Sequence, residues 1–213
     1  MKKYLVIGNP IGHSLSPKLH NHWIKKNNID AVYDKKQLNE NDIEGTIFKV
    51  RNGEIDGINV TVPFKKSVIP YLDQLTPLAN EAQSVNTIYK EKNKVIGHNT
   101  DVGGFELGLK RINYKVKNKK VFILGAGGVV SSIILALKKM GASKIILSNR
   151  TKEKAEDLKK IYSDLEIIDW GETPDFNVII NATSLGLKNH DEIKLDYTDI
   201  GSNKLFYDVI YNP

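Results

Sequence analysis

The 213-residue sequence contains no cysteine. Disulfides and thiolate metal sites are therefore excluded, and no metal ligand set is expected. Long hydrophobic runs are missing too: no apolar stretch approaches the roughly 18 residues that a membrane span needs. The opening MKKYLVIGNP shares two lysines with a signal peptide, but its apolar stretch, residues 4–7, is too short for a signal core. Gly8-Asn9-Pro10 ends it, so the expectation is a cytoplasmic protein without a membrane partner. Arginine is scarce, with Arg51, Arg111 and Arg150 the only ones among 31 basic residues. The net charge of +6 thus comes from lysines dispersed among acids, with no interleaved aromatic residues to stack on bases. That pattern argues against a nucleic-acid partner. It describes a solvated lysine-rich surface, whose mild positive field favours anionic substrates and cofactors. Internal repeats and low-complexity segments are absent as well.

What is present is an alternation of strands and helices. A hydrophobic fraction of 40% supports a folded core, and the length allows one large domain or two small ones. Residues 4–7 read as a buried strand. A helix is expected over 17–26, with Leu19, Trp23 and Ile24 at helical spacing and Ser16 and Pro17 as its N-cap and N1 pair. Residues 31–38 read as a strand, 42–50 as a helix ended by Asn52-Gly53, and 56–62 as a third strand closed by Pro63. Segments 84–89 and 94–98 form a hairpin around 91–93. The first half is therefore expected to build a mostly parallel sheet with helices on its faces.

The second half is clearer. A strand over 120–124 runs into Gly125-Ala126-Gly127-Gly128, then a helix over 129–140 is ended by Gly141. A strand over 144–148, a helix over 152–162 and strands over 177–181 and 205–209 follow. This βαβαβ series predicts a doubly wound, Rossmann-type sheet with helices on both faces. The fold class expected is α/β, with one domain over residues 1–100 and a Rossmann-type domain over 101–213. The boundary lies near 99–111, where one helical stretch leads from the first half into the second.

Gly125-x-Gly127, directly after a strand and opening a helix, is a phosphate-binding turn: glycines admit the pyrophosphate, and the helix N-terminus offers N–H groups and partial positive charge. The third position of the G-x-G-x-x-G pattern is Val130, so a slightly wider helix–strand packing is expected. An NAD site usually places a carboxylate about 20 residues further on. Here Ser148-Asn149-Arg150-Thr151 stands there, and an arginine fork pairs with a 2′-phosphate that a carboxylate would repel. Lys152 and Lys154 add charge nearby, so NADP is the expected cofactor. The plainer alternative makes Arg150 a surface residue and Thr151 a helix cap.

Four polar clusters lie at expected strand ends of the first half: Ser14-Leu15-Ser16, Asn59-Val60-Thr61 through Lys65, Asn86-Thr87, and Asn99-Thr100-Asp101. Ligands of α/β sheets gather at such ends. Hydroxyls, amides, one lysine and one aspartate suit a ligand with several hydroxyls and a carboxylate. Singly, each has a plainer role: Ser16 as an N-cap, Asn59 and Asn86 as loop braces, Asp101 as a helix cap, Lys65 as one more surface lysine.

Together the clusters resemble the shikimate dehydrogenase family. The matching pieces are GNPIGHSLSP at 8–17, GINVTVPFK at 57–65, SVNT at 84–87, GHNTD at 97–101, LGAGG at 124–128, NRT at 149–151, NATSLG at 181–186 and YDVIYNP at 207–213. They run in order through the whole chain. The resemblance implies NADP-dependent interconversion of 3-dehydroshikimate and shikimate, within chorismate and aromatic amino acid biosynthesis. It implies a substrate-binding domain first and an NADP domain second. By the same resemblance, Ser14 and Ser16 bind the substrate carboxylate, and Thr61, Asn86 and Asp101 hold ring hydroxyls, with Asn59 beside them. Lys65 stands at the carbon that exchanges hydride, with Asp101 next to it as its catalytic partner. Gly125, Ala126, Gly127, Gly128 and Val129 would bind the pyrophosphate. Asn149, Arg150, Thr151, Lys152 and Lys154 would bind the 2′-phosphate end. Thr183 and Ser184 approach the middle of the cofactor, Val209 lies by the nicotinamide, and Tyr211 touches substrate.

If Lys65 and Asp101 are close, the carboxylate holds the lysine as an ammonium and opposes its use as a neutral base. Members of this family continue for several helices beyond the position of Pro213, one of which brings a substrate-contacting glutamine, so a C-terminally truncated member is the expectation. Other readings are a quinate/shikimate dehydrogenase of broader specificity and a non-catalytic NADP-binding protein. The expected partner is a small molecule, and the expected assembly a monomer or homodimer.

Overall fold

The computed structural model describes residues 1–187, 190–198 and 200–210. The chain divides into two compact units, Met1–Val102 and Gly103–Pro213.

In the first unit, β1 (Lys2–Gly8) leads through α1 (Ser16–Lys26) to β2 (Ala31–Gln37), then through α2 (Ile43–Arg51) to β3 (Gly57–Val60). A short strand β4 (Gln74–Leu75) and a six-residue helix α3 (Pro77–Ala82) precede the hairpin β5 (Thr87–Glu91) and β6 (Lys94–His98). The strand order is β2-β1-β3-β5-β6-β4. β1 pairs parallel with β2 and β3, whereas β5 runs antiparallel to both β3 and β6. The expected mostly parallel sheet is thus a mixed one, because the β5–β6 hairpin joins it with β5 antiparallel to β3.

Side chains alternate across β1 as a pleated strand requires. Ile7, with Leu5, joins Ile43, Ile47 and Val50 of α2 in one core, and Val6 joins Ile11, Tyr33 and Ile24 on the α1 side. Two further expectations are corrected. Ser16 is not the cap of α1: Leu15 holds that position and Ser16 is already helical, its N–H donating to Ser14 Oγ at 3.3 Å. The hairpin begins at Thr87 rather than 84, because the Val85 N–H turns to the Lys65 carbonyl at 2.8 Å. α3 and β4 have no counterpart in the sequence reading, being too short to show a periodicity.

A helix α4 (Asp101–Arg111) carries the chain into the second unit. There, β7 (Lys120–Leu124), α5 (Val130–Lys139), β8 (Lys144–Ser148), α6 (Lys152–Ile161), β9 (Glu166–Ile168), β10 (Val178–Asn181) and β11 (Leu205–Asp208) follow. All pairs are parallel, in the order β11-β10-β7-β8-β9. The chain works outward from β7 to β9 and then returns to the other side of β7, the doubly wound order expected. Phe122, Leu124, Ile146, Phe176 and Ile179 form a core of this unit, and α5 is buried from Val130 to Leu137. β9 is an addition to the elements expected.

Candidate active site

In the first unit the strand order reverses at β1, so the carboxyl ends of β1 and β3 flank a switch point, where α/β sheets bind ligands. Ser14 and Ser16 follow β1; Thr61 and Lys65 follow β3. Lys65 is no surface lysine: it is 7% exposed, and its Nζ lies 2.6 Å from Asp101 Oδ2. The other carboxylate oxygen of Asp101 accepts Asn86 Nδ2 at 2.8 Å. Asp101 therefore does not spend its side chain as a cap of α4. Asn99 takes that task, its Oδ1 accepting the Val102 N–H at 3.1 Å.

Asn86 is held on every side. It donates to Thr100 Oγ1 (2.7 Å) as well as to Asp101, and its Oδ1 accepts the Thr100 N–H and the Thr87 hydroxyl, each at 3.0 Å. Asn59, within β3, donates to the Asn86 carbonyl (3.3 Å) and Thr87 Oγ1 (3.2 Å) and accepts from Tyr33 Oη (2.6 Å). The bracing role considered for both asparagines is real, and what they brace is Asp101. Half-buried Thr61 donates its backbone N–H to Ile7 at 2.9 Å, which ties the ends of β3 and β1 together.

In the second unit β7 runs straight into Gly125, whose φ of +105° belongs to glycine; a Cβ there would sit 2.8 Å from the Ala182 carbonyl oxygen. A Cβ on Gly127 would meet nothing nearer than that same oxygen at 4.0 Å. The N-cap of α5 is Val129, and no side chain caps the helix. Val130 is fully buried at the first residue of α5. Asn149 links the glycine turn to the turn after β8: its Oδ1 accepts the Ala126 N–H at 3.1 Å, and its Nδ2 donates to the Thr151 carbonyl at 2.6 Å.

Arg150 is exposed and has no ion pair among the described residues. Thr151 occupies the N-cap position of α6 but makes no side-chain capping bond. Lys154 is exposed on α6. Lys152 pairs with Asp169 at 2.6 Å, a hydrogen bond that holds its ammonium above the ordinary lysine range. Thr183 turns its hydroxyl to Asn181 Oδ1 at 2.7 Å, Ser184 is exposed, and the Val209 N–H donates to the Asn181 carbonyl at 3.1 Å. Tyr211 lies outside the described residues.

These groups fit NADP. The glycine turn leaves room where a pyrophosphate would approach, the α5 N-terminus has no side-chain cap to displace, and Arg150 is not committed to an acid. No helix among the described residues is long and apolar enough to cross a membrane. Tyr33 and Asp169 were not singled out from sequence, and Asn99 was named in a polar cluster without a role of its own. Asn99 stood in a quoted motif, and its place two residues before the helix was the available signal. Tyr33 and Asp169 read as an ordinary strand residue and an ordinary loop acid.

A Rossmann-order sheet with a glycine turn and an arginine at the second strand end, preceded by a unit with a buried lysine paired to a half-buried aspartate among amides and hydroxyls, defines an NADP-dependent α/β dehydrogenase. Residues 6–88 match the family model of the shikimate dehydrogenase substrate binding domain, and residues 106–186 that of shikimate / quinate 5-dehydrogenase. The chain belongs to the shikimate dehydrogenase family. It is 61% identical over 212 residues to the shikimate dehydrogenase (NADP(+)) of Pelagibacter ubique, covering 100% of this chain and 80% of that protein. The crystal structure of shikimate dehydrogenase from Aquifex aeolicus is similar with a TM-score of 0.88 and 38% identity, over 99% of this chain and 79% of that one. The Thermus thermophilus shikimate 5-dehydrogenase in complex with NADP(H) and shikimate is similar with a TM-score of 0.87 and 27% identity, over 100% and 80% of the two chains.

Proposed function

We propose that this chain reduces 3-dehydroshikimate to shikimate with NADPH, on the way to chorismate and the aromatic amino acids. Residues 1–100 form the substrate-binding domain and residues 101–213 the NADP-binding domain. The observation that carries this reading is the pair of buried Lys65 and half-buried Asp101, held by Asn86 in the unit that matches a substrate binding domain.

Bound NADPH supplies the hydride. The protein's part is positioning and proton handling. Ser14 and Ser16 hold the substrate carboxylate; Thr61, Asn86 and Asp101 face the ring hydroxyls; Tyr211 adds a contact. Asn59 acts behind Asn86. Lys65 Nζ stands at the carbonyl oxygen as an ammonium, stabilises the charge that develops there, and gives up an N–H proton as the new O–H forms. Asp101 aims the lysine and the substrate together. The low exposure of Lys65 strengthens these interactions by excluding water.

On the cofactor side, Gly125, Ala126, Gly127, Gly128 and Val129 hold the pyrophosphate, while Asn149, Arg150, Thr151, Lys152 and Lys154 hold the 2′-phosphate end. Thr183, Ser184 and Val209 line the rest. We place the enzyme in the cytoplasm, as a monomer or homodimer.

The test is spectrophotometric: shikimate and NADP are mixed with the protein and NADPH is followed, with quinate and NAD as controls. NADPH formed with shikimate and NADP alone supports the reading. Equal rates with quinate would replace it by the broader quinate/shikimate activity. NADP binding without turnover in a chain that holds its fold would favour a non-catalytic NADP-binding protein.

A further inference from the structure

Asn181 is the last residue of β10 and is only 8% exposed. Two segments assigned to the cofactor leave from it. The turn that carries Thr183 and Ser184 follows it in the chain, and Asp208, its register partner on β11, leads into Val209. Its side chain bonds to both. Nδ2 donates to the Leu185 carbonyl and to Asp208 Oδ2, each at 3.0 Å. Oδ1 accepts the Thr183 N–H at 3.1 Å and the Thr183 hydroxyl at 2.7 Å. The Thr183 oxygen in turn accepts the Leu185 N–H at 3.0 Å, and the other carboxylate oxygen of Asp208 accepts the Ile210 N–H at 2.8 Å.

Proton counting fixes the amide in one orientation. A carboxamide nitrogen carries two protons, and both are placed; its oxygen only accepts, and both its partners are donors. Turning the amide over would set Nδ2 against the two Thr183 donors, and Oδ1 against the Leu185 carbonyl and the Asp208 carboxylate. Asparagine alone meets both sides, since an aspartate would keep Thr183 and lose Leu185 and Asp208. Turn and strand end also touch directly: a Cβ on Gly186, at φ +108°, would come within 3.4 Å of Ile210 Cδ1.

We propose that Asn181 is a positioning residue for the nicotinamide half of the dinucleotide: its amide fixes the Thr183–Leu185 turn and the Asp208–Val209 strand end relative to each other, so that both stand in place before the cofactor arrives. The proposal rests on the assignment of Thr183, Ser184 and Val209 to the cofactor. The adenosine half is assigned to the end of β8, on the far side of β7 from β10, and none of the Asn181 side-chain bonds given above reaches it.

Adenosine 2′,5′-bisphosphate carries the adenosine half without the nicotinamide, so direct titrations with it and with NADP separate the two ends without turnover. In Asn181→Asp the Kd for NADP should rise about tenfold, the scale of one or two lost hydrogen bonds, while the Kd for the bisphosphate stays within about twofold. Asp208→Asn removes a negative charge where Asn181→Asp adds one. It should still raise the Kd for NADP, about threefold, because an amide puts an oxygen on only one of the two donors that Asp208 serves. A purely electrostatic effect on an anionic cofactor would move the two variants in opposite directions. With both substitutions together, the amide at 208 can donate to the carboxylate at 181 and keep its oxygen on Ile210, and the Kd should return to within about threefold of the parent. A bisphosphate Kd that rises in step with that for NADP would make Asn181 a residue of the fold alone and overturn the proposal. So would an Asp208→Asn variant that binds NADP as tightly as the parent, or a double variant no better than Asn181→Asp. If Asn181→Asp does not fold, Asp208→Asn, at an exposed position, carries the test by itself. A parent that binds neither ligand would instead remove the cofactor assignment, and the proposal with it.

Discussion

Lys65 Nζ and Asp101 Oδ2 stand 2.6 Å apart although 36 positions separate them in the chain. The pair is largely shielded, with side-chain exposures of 9% and 20%. Its geometry depends on the β5–β6 register: Thr87 pairs with His98, so Asn86 and the Asn99–Asp101 turn meet just beyond the open end of the hairpin. Asp101 also sits in the first turn of α4, where the helix dipole favours a negative charge. A carboxylate supported in this way can orient a lysine without being displaced by it.

Lys65→Met follows directly. Methionine fills the buried space without a charge, and Asp101 keeps its bond from Asn86 and its access to water. Turnover should fall by about 10²–10⁴-fold, the range for losing a positioned proton donor, with NADP affinity little changed. Stopped-flow turnover beside a cofactor titration checks it, and near-normal turnover would remove Lys65 from the chemistry. Asp101→Asn is expected to be milder in turnover but to raise the shikimate KM, because an amide can still meet Lys65 yet presents only one acceptor oxygen.

Much of this was legible in the sequence, for physical reasons that differ between the units. The bounds of β7 and β8 could be read to the residue, because a strand buried on both faces is a continuous apolar run and glycine or a polar turn ends it sharply. β9, at three residues, and β4, at two, carry too few positions to show any period. The hairpin start was misplaced because Ser84 and Val85 are as buried as strand residues, while the Val85 backbone bonds to Lys65 instead of a ladder partner. In the site, Lys65, Asn86 and Asp101 were recognisable by type and motif. Their pairing was not, since it rests on long-range register. Tyr33 was hidden entirely: an apolar-looking strand residue gives no sign of where its hydroxyl ends.

Arg150 should govern the choice of cofactor. It has no acid partner among the described residues, whereas Lys152 nearby is held by Asp169. Arg150→Ala should raise the KM for NADP by about 10–100-fold, the scale of a charge-assisted, bidentate contact, and leave the KM for NAD nearly unchanged. Asp169→Asn should act in the opposite sense. It frees Lys152, and a roughly twofold to threefold lower NADP KM is expected at low salt, vanishing at high salt because both groups are exposed. Parallel titrations with the two dinucleotides at two salt concentrations would test both.

Asp73 makes a second, structural use of a carboxylate. Arg51 Nη1 and Nη2 grip its two oxygens at 2.7 and 3.0 Å, and the Val95 N–H donates to it at 2.7 Å, pinning the segment before β4 to α2 and β6. The Arg51 hydrogen bonds hold Asp73 below the usual carboxylate range. A group whose folded pKa is depressed contributes stability above its unfolded pKa, near 3.8 for Asp, and loses it as pH falls through the lower folded value. Asp73→Asn should therefore lower the urea midpoint at neutral pH. The difference from the parent should shrink as both proteins are taken below about pH 4. A gap that stayed constant with pH would show that the charge of Asp73 contributes nothing.

Gly125 and Gly127 should fail for different reasons when replaced by alanine. At Gly125 the backbone has φ +105°, and the new Cβ would lie 2.8 Å from the Ala182 carbonyl oxygen, a backbone atom just past β10 that cannot swing away. Strain and clash together should destabilise the second unit by about 1–3 kcal/mol, and NADP affinity should fall with it. At Gly127 no positive φ is required and the nearest neighbour is 4.0 Å away, so alanine should leave thermal stability within about 0.5 kcal/mol. The methyl group would instead occupy the space assigned to the pyrophosphate, and NADP binding should weaken at least about tenfold for want of close backbone approach. Thermal melts with and without NADP separate the two effects. If Gly127→Ala binds NADP as the parent does, the pyrophosphate does not lie over this turn. If Gly125→Ala melts unchanged, the turn after β7 has more room than its contact with Ala182 implies.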